Sequence, residues 1–235
     1  MSVFYTKEIS GNRAVLDKEE SRHCIRVLRL GKGARIRFVD GEGGLYEARI
    51  EEPDPAACVL NITGREENYL ARDYRLHIAI SPTKSTTRFE WFLEKATEIG
   101  VDEITPLICE RSERSRIRME RSGKIMLAAM KQSGRSHLPV LNEPVNFPVL
   151  VGASDSGIKL IAHCEAPKFI YDGNFTSDAP EWLVLIGPEG DFTAEEISRA
   201  IGAGFSGIRL GDAVFRTETA GIVVCQIISG LYRNA

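Results

Sequence analysis

Two short stretches near the carboxyl end of this 235-residue chain carry side chains suited to holding a small ligand. The first, IGPEGDFTAEEI, follows an apolar run and sets Gly187, Glu189, Gly190 and Asp191 ahead of an expected helix. The second, IRLGDAVFRTETA, sets Leu210 and Gly211, then Phe215, Arg216, Thr217, Glu218, Thr219 and Ala220, before a final apolar helix. Neither is the G-x-x-x-x-G-K-S/T phosphate loop or the G-x-G-x-x-G dinucleotide fingerprint. The acids oppose such a use. A helix amino end holds an anion through free N–H groups and its dipole, and Glu189 and Asp191 put negative charge where a phosphate must sit. A phosphate-free or positively charged ligand suits them better; S-adenosylmethionine, with a sulfonium and an adenine edge that backbone groups can recognise, is one. Each stretch also has a plainer reading. Gly187-Pro188 turns the chain and Thr193 with Glu196 forms a capping box; Thr217 or Thr219 caps the last helix and Arg216 pairs with a nearby acid. Two such loops in succession on one sheet favour a shared pocket.

The elements that must position these loops are legible as alternating periodicities. From about residue 74, YRLHIAIS, DEITPLI, KLIAHCE, WLVLIGP and GIRLG read as buried strands. Between them lie helices over TTRFEWFLEKATEIG, MERSGKIMLAAMKQSG, Thr193 to about Ile201, and Glu218 to Tyr232. Thr87 and Glu90 have capping-box spacing, and Gly100 is a stop. Strand and helix in alternation imply a mostly parallel α/β sheet, in which ligands sit beyond the carboxyl ends of the strands. The first seventy residues differ: RAVLD, ARIRFVD, LYEARIEE and ACVLNIT are short strands joined by turns such as GEGG and PDPA, the pattern of a small β-barrel. SRHCIRVLRLGKG reads as a short helix ending near Gly31, and the polar run GREENYLARDY as a linker.

Composition is ordinary for a globular protein, with 43% hydrophobic and 27% charged residues. The amino terminus has no signal-peptide pattern and no apolar run is long enough to span a bilayer, so a soluble, cytoplasmic protein is expected. Five widely spaced cysteines without a C-x-x-C encode neither a disulfide framework nor a zinc site. His23, His77, His137 and His163 have no metal-ligand spacing, and His77 and His163 are expected in core strands. The formal charge of -3 excludes a uniformly basic surface. Yet residues 21–37 hold six Lys/Arg and no acid, and 111–135 hold eight against two acids, patches suited either to a polyanion or to solvent.

The pair IGPEGDFTAEEI and IRLGDAVFRTETA resembles the cofactor-binding signature of the SPOUT methyltransferases, specifically the 16S ribosomal RNA (uracil-1498, N3) methyltransferase family. HCIRVLRLGKG, KSTTRFEWFLEKATEIGVDEITPL, RSERS and KQSGRSHLPV are similar to other segments of that family, so the likeness covers nearly the whole chain. Two departures are Asp191, where the family more often has a second glycine, and Val214-Phe215 in place of Ile-Leu. The resemblance implies a PUA-like β-barrel over 1–70 that binds RNA and an α/β domain over 74–235 threaded into a trefoil knot, a rare exception to un-knotted topology. It implies a homodimer acting on 16S rRNA or the small ribosomal subunit, away from any membrane. S-adenosylmethionine would be held by Gly187, Glu189, Gly190, Leu210, Gly211 and Phe215 to Ala220.

Methyl transfer to a uracil nitrogen needs alignment, removal of the N3 proton and no metal. Arg216 is the candidate to stabilise the deprotonated imide or orient the uracil carbonyls, and Glu218 or Glu189 to accept a proton or meet the sulfonium. Gln132 and Arg135 suit RNA contact, and Arg22, Arg26, Arg29, Lys32 and Arg35 suit backbone phosphate. The rivals are a SPOUT enzyme methylating a ribose 2′-OH or guanine N1, and a non-catalytic rRNA-binding assembly factor.

Overall fold

The computed structural model describes residues 3–154, 157–172 and 181–232. The chain divides into two compact units, one of residues 1–71 with 127–138 and one of 72–126 with 139–235. Among the described residues the α-helices are α1 (Lys18–Arg22), α2 (Thr86–Ile99), α3 (Met119–Ser133), α4 (Phe147–Ala153), α5 (Ala194–Gly202) and α6 (Thr217–Leu231).

In the first unit, β1 (Val3–Tyr5), β2 (Ile9–Ser10), β3 (Arg13–Val15), β4 (Arg35–Val39), β5 (Leu45–Glu52) and β6 (Val59–Glu66) form one sheet in the order β1-β4-β5-β6-β3-β2. Every pairing is antiparallel except β1 with β4. Alternation sends Ile36 and Phe38 of β4 and Tyr46, Ala48 and Ile50 of β5 inward. Register shifts at Glu47/Ala48 and Ile50/Glu52 deepen the twist, and the sheet curls over its core as a half-barrel. The expected single helix ending near Gly31 is instead α1, capped by Asp17, followed by a π-turn over His23–Val27. The Leu28 N–H reaches back to the His23 carbonyl, and Arg29 takes a left-handed φ of 56° that ends the run. The second half of α3 belongs to this unit: Met130 and Leu127 pack with Val39, Leu45 and Tyr69, and the Lys131 ammonium pairs with the Glu20 carboxylate.

In the second unit β7 (Arg75–Ile80), β8 (Glu103–Ile108), β9 (Val140–Leu141), β10 (Val145–Asn146), β11 (Ile158–Ala162), β12 (Glu181–Ile186) and β13 (Ser206–Ile208) build a parallel sheet. Its order is β10-β8-β7-β12-β11-β13, with β9 also on β8. The central strands are apolar on both faces, as a covered parallel sheet requires: Ile78 to Ile80 and Val184 to Ile186 are all buried. α2 buries Phe89, Phe92, Leu93 and Ala96 and stops at Gly100, whose φ is 110°. The Thr87/Glu90 capping box is not formed. The helix begins at Thr86 with Ser85 as N-cap and no capping side chain, because Glu90 is drawn into a two-pronged ion pair with Arg121 at 2.6 and 2.9 Å. The expected linker is also partly structured: β6 takes Gly64 to Glu66, and Arg72 pairs with Asp102 at 2.5 Å and lies over the Tyr74 ring. No helix among the described residues is long and apolar enough to cross a membrane.

Candidate active site

All parallel strands of the second unit deliver their loops to one edge, and the loops after β11, β12 and β13 surround a cleft of about 280 Å³. Eight of the residues expected to hold the cofactor line it, Gly187, Glu189, Leu210, Gly211, Phe215, Arg216, Thr217 and Ala220, and Asp191 lines it as well. The β12 and β13 loops are tied across the cleft by the Thr217 hydroxyl, which donates to the Gly187 carbonyl at 3.1 Å. Gly187 is tightly packed, since a Cβ there would press on the Phe192 ring at 3.1 Å. At Gly211 a Cβ would meet the Phe215 ring at 3.3 Å, so both glycines let aromatic rings close against backbone.

The acids of the first loop act as staples. Glu189 accepts the Lys84 N–H at 3.0 Å, bracing the β12 loop against the loop after β7. Asp191 takes the left-handed conformation, with φ at 60°, and its two oxygens accept the N–H groups of Cys164 at 3.0 Å and Phe192 at 2.8 Å. The aspartate thus preserves the backbone that a glycine would supply and ties the β11 loop to the β12 loop. Thr193 and Glu196 form the expected capping box, and Glu196 also accepts the Glu110 N–H at 2.9 Å.

The other members of the expected set lie differently. Gly190 is not on the cleft wall; its carbonyl accepts a bond from Arg111 Nη1 at 2.7 Å. Thr219 is half-buried off the wall. Glu218 is only 6% exposed and also off the wall: one oxygen stands 3.7 Å from Arg88 Nε, and the other has no hydrogen-bond partner among the described residues. Arg216 is exposed, makes no ion pair among the described residues, and is the N-cap residue of α6 without a capping bond. Val214 beside it is 79% exposed.

The cleft also has residues that the motifs did not indicate. His163 was expected in a core strand, but β11 ends at Ala162 and His163 falls just beyond it, on the cleft wall. Its buried Nδ1 has no partner among the described residues, and burial holds its pKa below the usual 6.5. Burial and Asp191 together push the Cys164 thiol up. Arg209 stacks its guanidinium 4.1 Å from the Phe169 ring centroid. The signal for this third loop was the rule that every strand of a parallel sheet opens at the same edge.

The seven residues named for RNA contact all fall in the first unit. Arg22, Arg26, Arg29, Lys32 and Arg35 are exposed along α1, the π-turn and the start of β4, and none makes an ion pair among the described residues. Gln132 is exposed in the last turn of α3, and Arg135 is half-buried after Gly134.

A parallel α/β sheet with a three-loop cleft at its carboxyl edge is the frame of an enzyme that binds a small ligand. Comparison with known proteins makes this specific. A family described as RNA methyltransferase domain matches residues 71–229, and one described as RNA methyltransferase PUA domain matches 16–63. A ribosomal RNA small subunit methyltransferase E from Synechocystis is 32% identical over 218 residues, 89% of this chain and 70% of that protein. The crystal structure of a probable rRNA-methyltransferase from Porphyromonas gingivalis superposes with a TM-score of 0.92 at 38% identity, covering 100% of this chain and 99% of that one. A ribosomal RNA small subunit methyltransferase E from Neisseria gonorrhoeae, bound to S-adenosyl methionine, gives 0.90 at 26% identity, covering 99% and 98%. The chain belongs to the RNA methyltransferase family.

Proposed function

We propose that this protein transfers the methyl group of S-adenosylmethionine to N3 of uracil 1498 of 16S ribosomal RNA. The observation that carries the reading is the cleft: three loops closed on one another by Thr217 and Asp191, the middle one braced by Glu189 against the loop after β7, with the exposed Arg216 on its wall. The Neisseria relative that binds S-adenosyl methionine shares the whole fold. The chemistry of the lining suits that cofactor. It offers backbone groups and three carboxylates, Glu189, Asp191 and Asp212, rather than a phosphate cradle, and a sulfonium is stabilised by nearby negative charge. Gly187, Glu189, Leu210, Gly211, Thr217 and Ala220 would hold the cofactor, with Gly190 and Thr219 supporting the loops from behind. When bound, it supplies an electrophilic methyl group.

The remaining work falls to the chain. Arg216, exposed beside Phe215 and Val214, stabilises the imide anion left when N3 loses its proton, or fixes a uracil carbonyl. Glu218 is buried off the cleft against Arg88, so its part is to hold the first turn of α6, and of the two glutamates expected to act there Glu189 is the one on the cleft wall. In the same reading residues 1–70 form the RNA-binding domain, with Arg22, Arg26, Arg29, Lys32, Arg35, Gln132 and Arg135 along the RNA. Residues 74–235 form the knotted catalytic domain, in a cytoplasmic homodimer. The strand order, in which β13 lies outside β11 while β12 lies inside it, supports the threading.

Calorimetric titration with S-adenosylmethionine, followed by mass analysis of nucleosides from methylated small-subunit RNA, tests the proposal. One N3-methyluridine per 16S rRNA is expected. Methylation of a ribose hydroxyl or guanine N1 would replace the substrate assignment, and RNA binding without cofactor binding would point to an assembly factor. Arg216→Ala should slow single-turnover methylation by about 10²–10³-fold with cofactor affinity retained; an unchanged rate would refute its electrostatic role.

A further inference from the structure

The basic run after β8 makes no part of the cofactor cleft, yet it is tied to the same edge of the sheet. Residues 109–118, leading from β8 to α3, are fastened at four points. The Glu110 N–H donates to Glu196, Arg111 donates to the Gly190 carbonyl, and Ser112 shares a 2.8 Å hydroxyl bond with Ser81. Arg114 Nη2 donates to the Lys84 carbonyl at 3.0 Å. A surface loop stitched in this way holds its charges in fixed places.

What it holds is an excess of positive charge, relieved only in part by Glu90, whose carboxyl Arg121 and, less strongly, Arg118 hold below its usual pKa. The segment Arg114-Ser115-Arg116-Ile117-Arg118 contains three arginines, no acid and no helix. The nearest acids are engaged elsewhere: Glu113 with Lys84 at 2.8 Å, Glu120 with Lys124 at 2.6 Å and Glu90 with Arg121 at 2.6 Å. Arg116 and Arg118 make no ion pair among the described residues, and Arg116 and Arg118 are exposed. The arginines border a recess of about 20 Å³ against the first turn of α2, room for one water or one ligand oxygen. The buried Nε of Arg114, which adjoins it, lacks an acceptor among the described residues, and so is a donor set toward something that the free chain does not supply. The first turn of α2 carries no acid and no capping side chain; Glu90, one turn further on, also lines the recess, with its carboxylate held by both prongs of Arg121.

We infer that Arg114, Arg116 and Arg118 form a docking track for the phosphodiester backbone of the substrate RNA, carried by the second unit itself. Alternate arginines along a non-helical segment present planar, fork-like donors, the geometry that phosphate oxygens accept. Because the loop opens at the same sheet edge as the cofactor cleft, it fixes the strand beside the target base rather than reading its sequence. The inference rests on the RNA methyltransferase reading above.

The test is a double variant, Arg116→Ala with Arg118→Ala, beside the charge-conserving double Lys variant. RNA affinity is measured as a function of salt with a small-subunit RNA fragment, cofactor affinity by calorimetry, and steady-state methylation by radiolabel transfer. For the Ala pair, RNA affinity should fall about tenfold and the slope of log affinity against log salt should lessen by about two. KM for RNA should rise, with kcat and cofactor affinity within about twofold of wild type, and the Lys pair should recover most of the loss. Unchanged RNA affinity and salt slope would overturn the track, as would a parallel loss of cofactor affinity, which marks a structural role. A wild-type chain that fails to bind S-adenosylmethionine would overturn the functional reading instead.

Discussion

Asp191 illustrates how one residue can replace another by meeting two demands together. Its φ of 60° would suit glycine, and its carboxylate repays the left-handed strain by accepting two N–H groups, one from a different loop. Asp191→Gly is therefore expected to shift stability by less than about 1 kcal/mol, whereas Asp191→Ala, which keeps the strain and loses both bonds, should cost about 1–3 kcal/mol in urea denaturation. His77 makes a second point at this scale. Burial, opposed by Glu103 and aided by Arg75, holds its pKa below 6.5, and its Nε2 lies 2.7 Å from Thr105 Oγ1. The folded chain thus keeps His77 neutral where the unfolded chain takes up a proton. Its contribution is present above about pH 6.5 and lost as pH falls below it toward the folded value. The decline in urea midpoint from pH 7 to pH 5 should be shallower in His77→Gln than in wild type. At this scale Gly187, Arg216 and Thr217, singled out from their motifs, fall on one cleft wall, and His163, which no motif indicated, lies there with them. A histidine at the end of an apolar run carries no mark of whether the strand stops one residue earlier.

Helices and strands show which signals travel locally. Gly100 stopped α2 and Thr193 with Glu196 started α5 as their spacing indicated, because both devices are completed within one turn of the residues concerned. The Thr87/Glu90 pair had the same spacing and failed. Its glutamate has a stronger partner 31 residues away, Arg121, and no local pattern encodes that competition. The contact of α6 with α2 is equally non-local. A Cβ on Gly221 would lie 2.6 Å from Phe92 Cε2 and 3.0 Å from Ile80 Cδ1, so the glycine sets how closely the two helices approach. Gly221→Ala should destabilise the protein by about 1–3 kcal/mol despite alanine's better helix propensity, a sign that thermal melting reads directly. A stability gain would show that the helices can separate at no cost.

For the molecule as a whole, the order of elements in space differs from the order in sequence. Residues 127–138 belong to the first unit although the second has begun at residue 72. The helical period puts Met126, Ala129, Met130 and Ser133 on one side of α3 but carries no information on which core that side enters. A fragment ending at residue 71 should bind a hydrophobic dye and exchange its β4 and β5 amides rapidly, and a fragment extended to residue 138 should protect them; equal protection would show that the first seventy-one residues suffice. The interleaving has a consequence during synthesis. Val39 and Leu45 leave the ribosome well before Met130, the buried residue that covers them. The growing chain therefore carries an open apolar patch while much of the catalytic sheet is still being made, which makes the half-finished protein a natural client for a nascent-chain chaperone.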